Sequence, residues 1–448
     1  MARSSTIKKQ LAWAFWALNG AVITGFWVSG ATGELASGDI VAVGHALARL
    51  FGLLATFCAL TQFVLMGRAG WLEPIFGLDR LAIFHRRNGI AVLALILLHS
   101  SLMVITRTLL TGGVLPEGAQ QVLGLPYVWL AVIAEILFIA TAVTSIVMVV
   151  ARLRFELWYA VHMLNYAAII LVPFHQFANG SDFLINPTFA IYWMALYVFT
   201  AVNMLVWRFG RPLWLFWWHH FTVQKVVAET PTANSVYISG KNLQRFTAKG
   251  GQFVMVRFLD KHRFWQEHPF SLSALPSSDH IRLTVRALGD FTNGIPSLAP
   301  GTPVVVSGPH GAFTHEKQVK SKVAYIAGGI GITPLRAMIE ERAEAGGKNS
   351  AVLLYGNRTA ADTALLSELT QFGERIQMPI YTVLSEEKSK EQGYIDKERI
   401  ARLVPDIAER DVFLCGPPPM MAGVKQALKE LGVPDGQVHY ERFSLHKK

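Results

Sequence analysis

Six stretches of this chain are apolar for about 20 residues each, near positions 11–29, 44–67, 88–108, 127–150, 157–177 and 189–208, and no other feature restricts its fold as much. At ~1.5 Å rise per residue, each run coiled as a helix crosses a hydrocarbon layer of ~30 Å. A bilayer gives backbone N–H and C=O groups nothing to bond to, so each run must satisfy them internally as a helix. Composition agrees: 52% of the 448 residues are hydrophobic and 16% charged, too apolar a mixture for a soluble enzyme. Charged residues become regular past about Arg211, so a membrane domain of about residues 1–212 is expected to precede a soluble region. The opening MARSSTIKKQLAWAFW has the basic-then-apolar order of a signal peptide, but no small-residue cleavage site follows, and it is read as a retained first span.

The formal net charge is +10, yet the basic residues flank apolar runs instead of interleaving with aromatics, so no nucleic-acid partner is expected. Arg3, Lys8, Lys9, Arg68, Arg80, Arg86, Arg87, Arg152, Arg154, Arg208 and Arg211 fall on one side of the six spans. Glu34, Asp39, Glu117 and Asp182 fall on the other. The positive-inside rule then predicts a multi-pass protein of the cell inner (plasma) membrane, embedded in the lipid bilayer, with both termini and the soluble region cytoplasmic. Two cysteines, Cys58 and Cys415, cannot build a four-thiolate iron–sulfur cluster, so any metal falls to histidine or oxygen.

Histidines are the informative polar residues of the spans. His85 and His99 lie on the third, His162 and His175 on the fifth, and both spans run outward. Fourteen residues turn an ideal helix through ~1400°, close to four full turns, so His85 and His99 share one face ~21 Å apart along the axis. The 13-residue spacing of His162 and His175 leaves their rings ~140° apart in an ideal helix. Pro173 is expected to kink the span before His175 and re-aim that ring. Paired by depth, His85 with His162 and His99 with His175, the four suit two bis-histidine haems stacked across the bilayer. A single such histidine is more often a satisfied core residue; four matched in depth, where ionisable groups are costly, point to function. His45 has no partner at matching depth and is read as structural, and His219 and His220 as part of an inter-domain surface.

Downstream, TVQKVVAE, NSVYISG, QFVMVRF, HIRLTVRAL and TPVVVSG are short β-branched runs between turn residues, predicting a small antiparallel β-barrel over about 213–316. HPFS (His268, Pro269, Phe270, Ser271) and RALGDFT (Arg286, Gly289, Thr292) give that barrel a hydroxyl, an aromatic ring and a cation at its edge, suited to a diphosphate and a flavin ring. From about 317 to the end, strands alternate with helices, predicting an α/β domain on a parallel sheet. Between its first strand and helix lies GGIGITP, where Gly328, Gly329, Gly331 and Thr333 would let backbone amides approach a phosphate at a helix N-terminus. Arg358, after the second strand, stands where a cation meets a ribose 2'-phosphate; a solvated loop arginine is the plainer alternative.

With the histidine pairs, HPFS, RALGDFT, GGIGITP, CGPPPM from Cys415 and the ending YERFSL side by side, the chain resembles the NADPH oxidase and ferric reductase superfamily in a compact bacterial form. The resemblance implies a six-helix haem-binding domain joined to an FAD and NAD(P)H module, passing electrons from cytosolic nicotinamide through FAD and two b-type haems to an outer acceptor. Carried over by position, His268, Phe270, Ser271, Arg286 and Thr292 would contact FAD, with Ser271 near its reactive nitrogen. Gly329, Gly331, Thr333, Arg358, Cys415, Gly416 and Pro417 would line the site for NADPH or NADH. Phe443 would cover the flavin face, and Arg49 would sit beside the outer haem to steady a propionate or a forming superoxide. Animal oxidases of this kind carry a further histidine four residues after the outer ligand, where this chain has Met103. O2 giving superoxide is nevertheless the first expectation for the acceptor, ahead of a ferric chelate, and then a quinone or a periplasmic electron acceptor protein. No EF-hand loop occurs, so direct calcium gating is not expected. A different class would also use these parts: a haem-free transporter or proton path with a flavin sensor domain.

Overall fold

The computed structural model describes residues 2–151, 155–348, 350–387 and 391–441. Among them six helices are long and apolar enough to cross a membrane: Ile7–Ala36, Ile40–Met66, Arg80–Thr111, Val128–Met148, Leu157–Asn179 and Pro187–His219. Their outward faces carry side chains such as Ile90, Ile136, Ile170 and Ile191, each at least 58% exposed, which only lipid would cover. Asp39 starts the second span by accepting the Val41 N–H at 2.9 Å, an N-cap on an otherwise unpaired donor. The fifth span is interrupted at Leu164, between helices Phe155–Met163 and Asn165–Asn179. Pro173 lies within the second of these, so the break that separates the phases of its two histidines falls nine residues before the expected kink.

The chain divides into two compact units. One is the membrane bundle, Ile7–Ala69 with Arg80–Arg208. The other gathers the described residues from Phe209 onward and also takes Gly70–Asp79, the connector between the second and third spans. Glu73, 3% exposed, holds that connector there: its carboxylate lies 2.5 Å from His310 Nδ1 and accepts the Gly311 N–H at 2.7 Å.

In the second unit six antiparallel strands come first: β1 (Thr222–Thr230), β2 (Ala233–Ser239), β3 (Phe253–Phe258), β4 (His268–Ser271), β5 (Ile281–Arg286) and β6 (Val304–His310). They form two three-stranded sheets, ordered β1-β2-β5 and β4-β3-β6, around one core that includes Phe221, Val236, Ile238, Val256 and Phe258. Single bridges Thr222–Pro303 and Leu272–Leu283 link them, so the expected barrel is realised as two antiparallel sheets. Pro269 sits in edge strand β4, where a missing N–H breaks no central ladder. His219, expected at an inter-domain surface, is 2% exposed and stacks on Phe221, so it belongs to this core.

A five-stranded parallel sheet follows, β7 (Val323–Gly328), β8 (Ala351–Asn357), β9 (Ile380–Leu384), β10 (Asp411–Cys415) and β11 (Val438–Glu441), in the order β11-β10-β7-β8-β9. The first four of these strands alternate with the helices Ile332–Glu344, Leu366–Ile376, Lys397–Leu403 and Pro418–Glu430, as the strand–helix pattern of the sequence predicts; β11 was not foreseen. Helices cover both faces: Tyr325 and Ala327 enter one core, Ala324 and Ile326 the other. Strands buried on both sides read as continuous apolar runs, as VAYIAG and DVFLC do.

Glu368 joins the flavin-side sheets to this sheet's helices. It takes Arg282 Nη1 at 2.6 Å and Arg336 Nη2 at 2.5 Å. Burial pushes its carboxyl up, but the two guanidiniums prevail and hold it below the usual glutamate range. A carboxyl lowered on folding adds stability above its unfolded pKa and loses it as pH falls through the folded value. Glu368→Gln should therefore cost roughly 1–3 kcal/mol at pH 7, after discounting for its partial exposure. Denaturation of the full chain at pH 7 and at pH 3 is expected to show that difference shrinking in acid.

Candidate functional site

In the membrane unit the four span histidines meet in two pairs. The ring centroids of His85 and His162 are 5.9 Å apart, those of His99 and His175 6.5 Å apart. Two imidazoles binding one ion from opposite sides, at ~2 Å per metal–nitrogen bond and roughly 1 Å from nitrogen to ring centre, separate their centroids by roughly 6 Å. Both pairs fit. His99 Nδ1 lies 2.8 Å from the Ala48 carbonyl, a second bond that fixes the ring and leaves Nε2 for a metal. His162 Nδ1 is buried without a hydrogen-bond partner among the described residues. Gly52 makes room for His99: a Cβ there would come within 2.7 Å of His99 Nδ1. Among the described residues no cluster of three or more His, Cys, Asp or Glu forms.

Two features of this unit escaped sequence reading. Gln176, next to His175, is a buried hub: it donates to Thr56 Oγ1 at 2.7 Å and accepts from Trp193 Nε1 at 3.1 Å and Tyr197 OH at 3.0 Å. A polar residue flanking a proposed ligand was the only available sign. Arg49 is already engaged, with Nη1 and Nη2 on Glu34 at 2.8 and 2.6 Å and Nε on Asp182 at 3.1 Å. His45, read as structural, lies 3.3 Å from Glu34 and 3.2 Å from Arg49.

In the second unit β4 presents the flavin motif. His268 is part-buried, with its ring 4.0 Å from that of Phe291, Pro269 is exposed, Phe270 is half-buried and Ser271 is buried. Burial lowers the His268 pKa, which Glu267 only partly offsets, so its imidazole is neutral at pH 7. The Thr292 hydroxyl accepts from Leu288 N at 2.9 Å and Gly289 N at 3.1 Å, which shapes the turn after Arg286. Arg286, ending β5, reaches the glycine turn: a Cβ on Gly329 would lie 3.3 Å from its Nη1.

That turn sits at a switch point. From β7 the chain winds outward to β8 and β9, then returns to place β10 and β11 on the other side of β7. Open parallel sheets bind ligands outside the carboxyl ends of such strands. Gly328, Gly329 and Gly331 follow β7, and Gly416 and Pro417 follow β10. The two backbones touch: a Cβ on Gly331 would strike the Cys415 carbonyl, and one on Gly416 would come within 3.1 Å of Gly328 Cα. Helix Ile332–Glu344 begins there, with its unpaired amides available to an anion. Thr333 is 2% exposed and donates to the Ile330 carbonyl at 3.0 Å, so its hydroxyl holds the helix start. Burial pushes the Cys415 thiol well up, with Glu441 adding to it, which keeps it protonated. Arg358 follows β8, 56% exposed and 3.6 Å from Asp362. Phe443 lies outside the described residues.

Sequence comparison agrees with this division. The chain matches the family described as ferric reductase like transmembrane component over residues 51–173, an FAD-binding domain over 220–314 and an oxidoreductase NAD-binding domain over 325–426. These matches divide the chain into a ferric-reductase-like transmembrane module followed by FAD-binding and NAD-binding modules, the combination typical of the NADPH oxidase and ferric reductase superfamily. The chain is 29% identical over 245 residues to a flavohemoprotein of Halalkalibacterium halodurans, covering 50% of this chain and 59% of that protein. To the toluate 1,2-dioxygenase electron transfer component of Pseudomonas putida it is 29% identical over 214 residues, covering 46% and 62%. The chain thus spans about three fifths of the length of these curated relatives. Among solved structures, the flavohem-like FAD/NAD binding domain of nitric oxide dioxygenase from Vibrio cholerae aligns with a TM-score of 0.44 at 22% identity, over 49% of this chain and 96% of that one.

Because Gly331 abuts the Cys415 carbonyl, Gly331→Val should push the two turns apart and weaken nicotinamide nucleotide binding roughly tenfold, the scale of a 1–3 kcal/mol overpacking cost. Titration calorimetry of the FAD-loaded protein would register this, with flavin content unchanged.

Proposed function

We propose that the protein is a transmembrane NAD(P)H oxidoreductase that carries electrons from cytosolic NAD(P)H through FAD and two bis-histidine b-type haems to an acceptor on the outer face, O2 being the first choice. The observation that carries this reading is the pair of histidine separations, 5.9 and 6.5 Å, in one bundle. Bound FAD would turn a two-electron hydride into single electrons, and haems would relay them one at a time.

The chain's own residues do the positioning. His85 with His162, and His99 with His175, would hold the two irons by Nε2, and the apolar spans keep water away. His268, Phe270, Ser271, Arg286, Gly289 and Thr292 form the flavin wall, with Arg286 the cation for its diphosphate. Gly328, Gly329, Gly331, Gly416 and Pro417 bring backbone close to the nicotinamide nucleotide. Arg358 favours NADPH over NADH by meeting a 2'-phosphate, and Phe443 would cover the flavin and move for hydride transfer. With two histidines holding each iron, an acceptor would be reduced without binding to the metal. The basic residues flanking the spans favour cytoplasmic termini and reductase.

A dithionite-reduced minus oxidised spectrum of the purified protein should show low-spin haem bands at about two haems per chain, falling to about one in His99→Ala and in His85→Ala. A spectrum without haem bands would sink the reading and favour a haem-free transport or proton path governed by a flavin sensor. Phe443→Ala should slow flavin reduction by NADPH in stopped flow while leaving haem content intact; an unaltered rate counts against its covering role.

A further inference from the structure

The notable polar cluster of the bundle not used above lies beside the outer histidine pair. Arg49 on the second span is gripped by Glu34 at the end of the first, at 2.6 and 2.8 Å, and by Asp182 between the fifth and sixth, at 3.1 Å. His45, Arg49 and Gly52 follow one another at helical spacing and share a face. Gly52 touches the His99 ring, and the Ala48 carbonyl faces His99 Nδ1. The cluster is therefore about one helical turn outward from His99.

Its charge is negative. One guanidinium faces two carboxylates, so carboxylates outnumber guanidinium in the cluster by one. Asp182 is 4% exposed and its Oδ1 has no hydrogen-bond partner among the described residues, so its charge is only partly compensated; the Glu34 side chain is 30% exposed. Glu135, which accepts from Ser100 beside His99 at 2.8 Å, also lies on this side, and together with Asp39, Glu117 and Arg107 it adds two formal negative charges. A buried guanidinium saturated by carboxylates no longer offers a positive landing site.

We infer that this carboxylate-clamped arginine makes the outer site select acceptors by charge, admitting neutral or cationic one-electron acceptors and turning away anionic chelates, with Glu34 and Asp182 as the specificity-determining residues. The inference rests on the proposed exit of electrons at the His99–His175 pair and narrows its substrate class. Each event there moves one electron and no proton, and lowers the acceptor's charge by one. Dioxygen enters neutral and leaves as superoxide, an anion that the same field expels. Ferric complexes of polycarboxylates arrive negative and are repelled.

The test uses the full chain in nanodiscs with FAD, haem and NADPH, kept anaerobic. Acceptors are hexaammineruthenium(III), ferric–EDTA and ferricyanide, and only the part of each rate abolished by His99→Ala is counted. In the unaltered protein added salt should slow the ruthenium reaction and speed the ferricyanide reaction. Glu34→Gln and Asp182→Asn should each raise the ferricyanide-to-ruthenium ratio on the order of tenfold. In a spectroelectrochemical titration each variant should also shift one haem midpoint positive, since a lost negative charge eases reduction. Ratios and midpoints unchanged in both variants, with haem content intact, would overturn the inference while leaving the electron path standing. If one variant fails to fold, the other and the salt dependence of the unaltered protein still decide. Rates untouched by His99→Ala would remove the exit itself, and with it the proposed path as well as this inference.

Discussion

A polar side chain inside a hydrocarbon layer can bond only to other parts of the protein, and the membrane unit is organised around that constraint. Gln176 binds Thr56, Trp193 and Tyr197, so that one amide draws the second, fifth and sixth spans together beside His175. Asn88 donates to the Cys58 carbonyl and Tyr192 to Asn19. Each polar group is costly alone and inexpensive when paired, which gives a bundle of greasy helices a single register. For the histidine pairs, the partner proposed above is a metal.

The second unit solves a different problem, the closeness of two nucleotide sites. Its switch point puts the ends of β7 and β10 side by side, and the glycines there let two backbones touch. Arg286 reaches across from β5 to the same turn, so the flavin motif and the glycine turn meet at one arginine. The Arg282–Glu368–Arg336 bridge keeps the two halves of this unit in register. Glu73 holds the connector between two spans to His310 and Gly311 through buried contacts.

Much of this was legible in the residues. Span count follows from apolar run length, and the depth of the four histidines from their positions in those runs. Strand–helix alternation after residue 320 gave the parallel sheet because fully buried strands are continuous apolar runs. Other features were hidden for identifiable reasons. The short β11 in GQVHYE has too few apolar residues to stand out from a loop. The interruption of the fifth span falls at Leu164, a good helix former, whereas Pro173, the obvious breaker, sits inside a helix. Barrel closure depends on how sheet edges meet, and strand composition does not encode that.

What the sequence determined by itself is therefore the one-dimensional part: which segments enter the membrane, at what depth the histidines lie, and which glycines and prolines mark the nucleotide turns. Periodicity and hydropathy act along the chain and need no partner to be read. Tertiary structure decided what those groups face. It brought Glu34 and Asp182, 148 positions apart in the numbering, onto one arginine, and turned Arg49 from a free cation into the centre of an anionic cluster. It also sent Glu73 from a membrane connector to a histidine of the flavin-side sheet. Charge and hydrogen bonding act through space, over a few ångströms, and the fold alone sets which residues come within that range.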